Sequence, residues 1–379
     1  MILGIDAINI RHGGGRTHLI ELLKAAQPQE YGFVQMIVWG SQDTLDLLED
    51  RDWLIKCTNP ALNAGVLRRS IWQKFDLSKE VHFHQCDVLF IPGGSYAGSF
   101  HPVVTMSQNL LPFEWQELSR YGWSLTTLKL SLLRLIQTRS FRRSTGVIFL
   151  TEYAKQSVEK VTGTLLGATE IIPHGLNPRF NFSPKDQQTI SVYSTHKPYR
   201  LLYVSIIDLY KHQWHLIEAI ARLRDSTGWP LQLDLVGPSY QPALNRLQDS
   251  QKKWDPNNTW LTYHGSVPYE TLHHIYQEAD LGIFASSCEN LPNILLEMMA
   301  AGLPIACSNR GPMPEVLGSN GVYFDPENPA DILEKVKSLI EDPSKREEQA
   351  SINYNNAGNY SWQRCADQTF SFLRDTANS

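Results

Sequence analysis

The residues best equipped for chemistry lie close together in Phe284-Ala-Ser-Ser-Cys-Glu-Asn-Leu-Pro-Asn-Ile-Leu-Leu-Glu-Met-Met-Ala-Ala-Gly-Leu-Pro304. An apolar run of strand character gives way to a polar loop carrying Glu289, and a helix is expected to begin near Pro292 and Asn293, because proline suits a first helical turn. Gly302 closes that helix and Pro304 prevents its continuation. The backbone from Asn290 through Leu291 and Pro292 to Ile294 then forms a helix mouth, where unsatisfied N–H groups and the helix dipole favour a phosphate. Glu297 follows Asn293 by four residues, on the same face and placed for the vicinal hydroxyls of a ribose. Two carboxylates flanking an anion-binding helix mouth read as a cradle for a nucleotide sugar.

Such a cradle needs a strand behind it and a helix after it, and the whole chain alternates in that way. Short apolar runs at Ile2–Ile5, Gln35–Trp39, Val88–Ile91, Val103–Met106 and Gly146–Leu150 are followed by a second set at Arg200–Ile206, Gln232–Val236, Thr259–His264, Asp280–Ala285 and Pro304–Cys307. Segments of helical period separate them, the mark of β-α-β units and parallel sheets. The Pro- and Asn-rich stretch from Pro173 to Pro184 and the polar run after it divide the two sets. We therefore expect a first domain over 1–178, a linker over 179–198, a second domain over 199–360 and a terminal helix over 361–379. Two doubly wound sheets joined in this way place a ligand cleft at the carboxyl ends of their strands.

Glu289 and Glu297, seven residues between them, after a small-residue strand end and before Ala-Ala-Gly-Leu-Pro304, resemble the E-x7-E signature of retaining glycosyltransferases of family 4, which have the GT-B fold of two Rossmann-like domains. Other stretches agree in order and spacing. Tyr203-Val-Ser-Ile-Ile-Asp-Leu-Tyr-Lys-His-Gln213 resembles the donor segment whose lysine, here Lys211, reaches the diphosphate. Leu235-Val-Gly-Pro238, with Gly237, and His264-Gly-Ser-Val-Pro268, with Ser266 and Val267, resemble the strand-end loops around the base. Gly13-Gly14-Gly15, before a helix expected over Thr17–Ala26, resembles the glycine loop that approaches the phosphates, and Ile172-Pro-His-Gly-Leu-Asn177 resembles the end of the first domain.

The resemblance implies a nucleotide-sugar donor held by the second domain, a glycan or lipid-linked acceptor held by the first, and Glu289 and Lys211 as the catalytic pair. It implies no cofactor and no metal. Where many members carry Gly-Arg this chain has Ser205-Ile206, so Lys211, helped by Arg16, takes more of the diphosphate charge. Where many carry a histidine after the Val103–Met106 strand, this chain has Gln108 and Asn109, which would bind the sugar by hydrogen bonds. UDP-glucose is the preferred donor and GDP-mannose the next. A sugar-nucleotide epimerase on the same fold and a catalytically silent nucleotide-sugar binder are the rival readings.

Composition sets the outer bounds. A chain of 379 residues with 42% hydrophobic and 19% charged residues supports two cores and excludes disorder. A formal charge of −5 is unlike a dedicated nucleic-acid binder. The charge is uneven: residues 1–180 sum to +2 and the remainder to −7. Five scattered cysteines, with no C-x-x-C pair, read as reduced structural thiols. The chain opens on a strand instead of a charged leader, and we expect a cytoplasmic protein, with attachment at the inner membrane face as one of two alternatives. Asp50-Arg-Asp52 ends a helix-like run and reads as solvated rather than metal-binding. From Leu118 to Thr151 there is no acid, while Arg120, Lys129, Arg134, Arg139, Arg142 and Arg143 are interleaved with Trp123, Leu128, Leu132, Leu133, Leu135 and Ile136. Such a segment either lies on anionic lipid or packs on its own domain with a basic face in water.

Overall fold

The computed structural model describes residues Met1–Ser379. The chain forms two compact units, Met1–Gly175 with Ser361–Ser379, and Leu176–Tyr360.

The first unit is built on a seven-stranded sheet of β1 (Ile2–Asp6), β2 (Gln35–Trp39), β3 (Leu54–Cys57), β4 (Val88–Ile91), β5 (Val103–Met106), β6 (Gly146–Phe149) and β7 (Ala168–Ile171). Their order across the sheet is β3-β2-β1-β4-β5-β6-β7, and every pairing is parallel. The second unit carries β8 (Tyr199–Val204), β9 (Leu231–Val236), β10 (Leu261–Tyr263), β11 (Leu281–Phe284), β12 (Ile305–Ser308) and β13 (Val322–Phe324). Their order is β10-β9-β8-β11-β12-β13, again all parallel. The central strands are buried on both faces, as expected when helices cover both sides of a parallel sheet, and that is why they read as unbroken apolar runs.

The ten expected strands are present, and β3, β7 and β13 are additions. All three lie at sheet edges. β7 alternates exposed and half-buried residues, β3 is only half-buried, and β13 is three residues long, so none produces a strong apolar signal. A second correction concerns the glycines. Gly13 begins the helix Gly13–Ala25, so Gly13 to Gly15 form its first turn, four residues earlier than expected.

The stretch expected as a linker is packed on the second unit. Phe180 is fully buried against Tyr269 and Tyr276, Phe182 N–H donates to the Ala300 carbonyl at 2.9 Å, and Arg346 Nε donates to Gln187 Oε1 at 3.0 Å. The tail helix Trp362–Ala377, capped by Ser361 Oγ, belongs to the first unit and buries Cys365, Ala366, Thr369, Phe370 and Leu373. No two cysteines are joined, and burial pushes the Cys86 and Cys365 thiols up to about 12.

Candidate functional site

In each sheet the strand order reverses once, between β1 and β4 in the first unit and between β8 and β11 in the second. Ligands of doubly wound folds bind beyond the carboxyl ends of the strands at such switch points. Lys211 follows β8 and Glu289 follows β11, so the chain places both at the second unit's switch point although they are 78 residues apart. There they form a direct ion pair, with the Lys211 side chain nearly buried. Its ammonium also lies 5.0 Å from the Tyr210 ring centroid and 5.5 Å from that of Phe284, an aromatic setting that suits a desolvated cation.

The loop that presents Lys211 is braced from several sides. Tyr203 Oη donates to the Lys211 carbonyl at 3.0 Å. His212 adopts a left-handed backbone with φ of 54°, and its Nε2 is 2.9 Å from Ser287 Oγ, which ties the β8 loop to the β11 loop. Ser287 N–H also donates to the Tyr210 carbonyl at 2.9 Å. Gln213 Nε2 donates to Ser205 Oγ and to the Ile206 carbonyl, both at 2.9 Å. Gly237, after β9, has φ of 144°, and a Cβ there would stand 2.1 Å from the Ser205 carbonyl oxygen. Its N–H donates to the Gly265 carbonyl at 2.8 Å, so the ends of β8, β9 and β10 are stacked loop on loop. Ser266 is exposed and Val267 half-buried on the last of these loops.

The helix after Glu289 spans Asn293–Ala300 with Pro292 at its cap position. Asn290, Leu291 and Pro292 are buried, whereas Glu289, Asn293 and Ile294 are half-buried at its mouth. Glu297 is buried more deeply than its place on the helix implied. It accepts from Tyr276 Oη at 2.9 Å and from Tyr269 Oη at 3.3 Å. Burial pushes its carboxyl up to about 7, against the lowering effect of the two tyrosines and the Arg179 charge. Arg179 stacks over the Tyr269 ring at 5.1 Å. His212, Gln213, Ser287, Tyr269, Tyr276 and Arg179 are the contributors that sequence reasoning missed. Only His212 and Gln213, adjoining Lys211, and Ser287, two residues before Glu289, carried a positional signal.

In the first unit, Gly14 and Gly15 lie at the N-terminus of the helix after β1, with Arg16 half-buried beside them. A Cβ on Gly15 would stand 2.9 Å from Gln108 Oε1, so the helix start and the end of β5 are brought together. Asn109 is exposed, and its Oδ1 accepts from Leu111 N–H at 3.1 Å. Asp6, at the carboxyl end of β1, accepts from Gln73 Nε2 at 2.5 Å and from Ile8 N–H at 3.0 Å, and burial raises it to about 6.

Two parallel-sheet Rossmann-like units, each with polar residues gathered at its switch point, define the GT-B class. The chain aligns over 99% of its length with 100% of Anabaena HepE, solved in complex with UDP and glucose, at a TM-score of 0.70 and 17% identity. It aligns over 99% with 98% of the sucrose-phosphate synthase of Thermosynechococcus elongatus at a TM-score of 0.76 and 15% identity. In sequence, residues 185–356 match the family model described as glycosyl transferases group 1. A stretch of 110 residues is 34% identical to the O-antigen chain mannosyltransferase B of Escherichia coli, 29% of each chain. Another of 279 residues is 24% identical to the glycogen synthase of Mycobacterium tuberculosis, 71% of this chain and 64% of that one. The chain thus spans less than two thirds of the curated relatives it matches.

Proposed function

We propose that this protein is a retaining glycosyltransferase that moves a hexose from a nucleotide sugar to a glycan or lipid-linked acceptor, with UDP-glucose as donor. The observation that carries the reading is the Lys211–Glu289 pair beside a helix mouth at the switch point of the second sheet. A nucleoside diphosphate leaves readily once its charge is stabilised. Lys211 and the N–H donors at the start of the helix Asn293–Ala300 are the groups to do it. The arriving diphosphate competes for Lys211 and leaves the Glu289 carboxylate to hold the sugar hydroxyls and offset oxocarbenium charge. The acceptor attacks from the face of departure, and a phosphate oxygen takes its proton. Glu297 binds the ribose, whose hydroxyls replace the longer of its two tyrosine bonds. Gly14, Gly15, Arg16, Gln108 and Asn109 are the first unit's candidate donor-binding residues.

Likeness to a UDP-and-glucose complex supports the donor, while likeness to an O-antigen mannosyltransferase favours a second reading with GDP-mannose. A thermal-shift panel of nucleotides and nucleotide sugars separates them, because a selective ligand raises the melting temperature by mass action. Glu289→Gln is expected to lower donor-dependent transfer by about a hundredfold or more while changing nucleotide affinity only a few fold. Equal turnover in that variant would exclude the assigned role.

A further inference from the structure

The helix Leu125–Arg143 turns Gln137, Ser140 and Phe141 inward and directs a second apolar face into water. Leu125, Leu128, Leu132, Leu135 and Ile136 are 40 to 74% exposed, and their three- and four-residue spacing sets them in one stripe. Trp123, just before the Ser124 cap, is fully exposed. Single exposed leucines are ordinary on a globular surface, but a stripe of this length marks a docking face.

A second apolar face stands nearby. In the helix Val66–Phe75, Leu67, Ile71 and Phe75 are half or more exposed at four-residue spacing, and Phe83 at the end of the helix Leu77–Phe83 is 81% exposed. The loop between β4 and β5 joins the two regions. Gln73 Nε2 donates to the Ser95 carbonyl at 2.9 Å, Ser99 N–H to Ser78 Oγ at 3.0 Å, and Tyr96 N–H to Ser140 Oγ at 2.8 Å. The crossovers from β3 to β4 and from β5 to β6 run in the same direction across the sheet, so right-handed connections put these helices on one side of it.

We propose that the first unit docks on the surface of an anionic lipid bilayer through these two faces together. Charge selects the occupant. Lys129, Arg139, Arg142 and Arg143 are exposed on the first helix, where no acid occurs from Leu118 to Thr151, and Lys74 and Lys79 are exposed beside the second face. Of the acids there, Asp76 pairs with Lys79 at 3.0 Å and Glu80 lies 4.0 Å from His84 Nε2, which leaves Lys74 and the exposed Arg68 as the second face's unpaired cations. A second copy of this face would set like charge against like, whereas anionic headgroups complement it. An aromatic edge, a leucine stripe and flanking cations are the pattern of a helix lying in the interface plane. No helix is long and apolar enough to cross a membrane, so the contact is with the surface. This goes beyond the glycosyl-transfer reading and does not depend on it, because its test needs no turnover.

The test is flotation of the full chain with phosphatidylglycerol–phosphatidylcholine vesicles and with phosphatidylcholine alone, at low and high salt. Binding is expected to the anionic vesicles at low salt and to be about fivefold weaker for each cation removed in Arg139→Gln and Arg143→Gln. Leu128→Ser with Leu132→Ser, and separately Phe75→Ser, are expected to lower it by about tenfold at either salt, with unchanged melting temperatures because these side chains are solvated in the monomer. No flotation at low salt, flotation indifferent to the leucine changes, or a dimer in solution that those changes dissociate would each overturn the proposal.

Discussion

Glu297 is a buried carboxyl whose protonation is coupled to the stability of the free protein. Its pKa is raised from 4.5 to about 7. A raised folded-state pKa contributes stability that is fully present below about 4.5 and is lost as pH rises through 7. Replacement by Gln removes the buried charge and keeps groups able to bond Tyr269 and Tyr276. Glu297→Gln is therefore expected to stabilise the free protein at pH 8 by about 1–3 kcal/mol and to have almost no effect at pH 4. If Glu297 holds the ribose as proposed, the same variant should bind nucleotide about tenfold more weakly, since a charge-assisted bond becomes a neutral one. Thermal unfolding across pH and nucleotide titration read the two effects separately, and a variant destabilised at pH 8 would contradict the argument. The position of Glu297 on the helix was legible from its spacing to Asn293. Its two tyrosine partners were not, because they come from a loop and a helix 28 and 21 residues earlier in the chain.

At the scale of elements, the strand-end loops of the second unit combine side-chain bracing with one close backbone approach, at Gly237. Gly237 combines φ of 144° with a virtual Cβ 2.1 Å from the Ser205 carbonyl oxygen, while Gly228, with φ of 69°, has no heavy atom within 4 Å of its virtual Cβ. Gly237→Ala is expected to destabilise the protein by about 2 kcal/mol or more and to weaken nucleotide binding, because the Ser205 loop is braced by Gln213, two residues after Lys211. Gly228→Ala should cost about 1 kcal/mol and leave nucleotide binding intact. Chemical denaturation paired with nucleotide titration distinguishes the two. Elements followed the sequence wherever both faces of a strand are buried. The edges β3, β7 and β13 did not, since a short strand covered on one side has too few apolar residues to stand out.

For the whole molecule, the tail helix is fastened to the first unit through a buried aromatic group. His18 is fully buried, stacks on His174 at 4.5 Å between ring centroids and lies 5.8 Å from the Trp362 ring, which opens the tail helix. A Cβ on Gly175 would stand 2.2 Å from the Trp362 backbone nitrogen, so chain and tail meet without room for a side chain. Burial and the neighbouring His174 hold the His18 pKa well below its ordinary 6.5. Below that pH the unfolded chain takes a proton that the folded ring refuses, and stability falls with each further step of acid, by at most about 1.4 kcal/mol per pH unit. His18→Leu is expected to flatten that acid limb in unfolding experiments between pH 6.5 and 5. An unchanged slope would show that His18 does not titrate on unfolding.

What the sequence determined by itself is what short-range pattern can encode. Unbroken apolar runs and segments of period 3.6 specified the alternating strands and helices and the tail helix, and the acid spacing singled out the strand-loop-helix segment around Glu289. What only the tertiary structure decided is which distant groups meet. Strand order brings Lys211 to Glu289, and packing sets Gln108 against Gly15 and surrounds Glu297 with tyrosines. It also decided which way the Leu125–Arg143 stripe faces, because a helical period looks the same in sequence whether its apolar residues are buried or turned to the solvent.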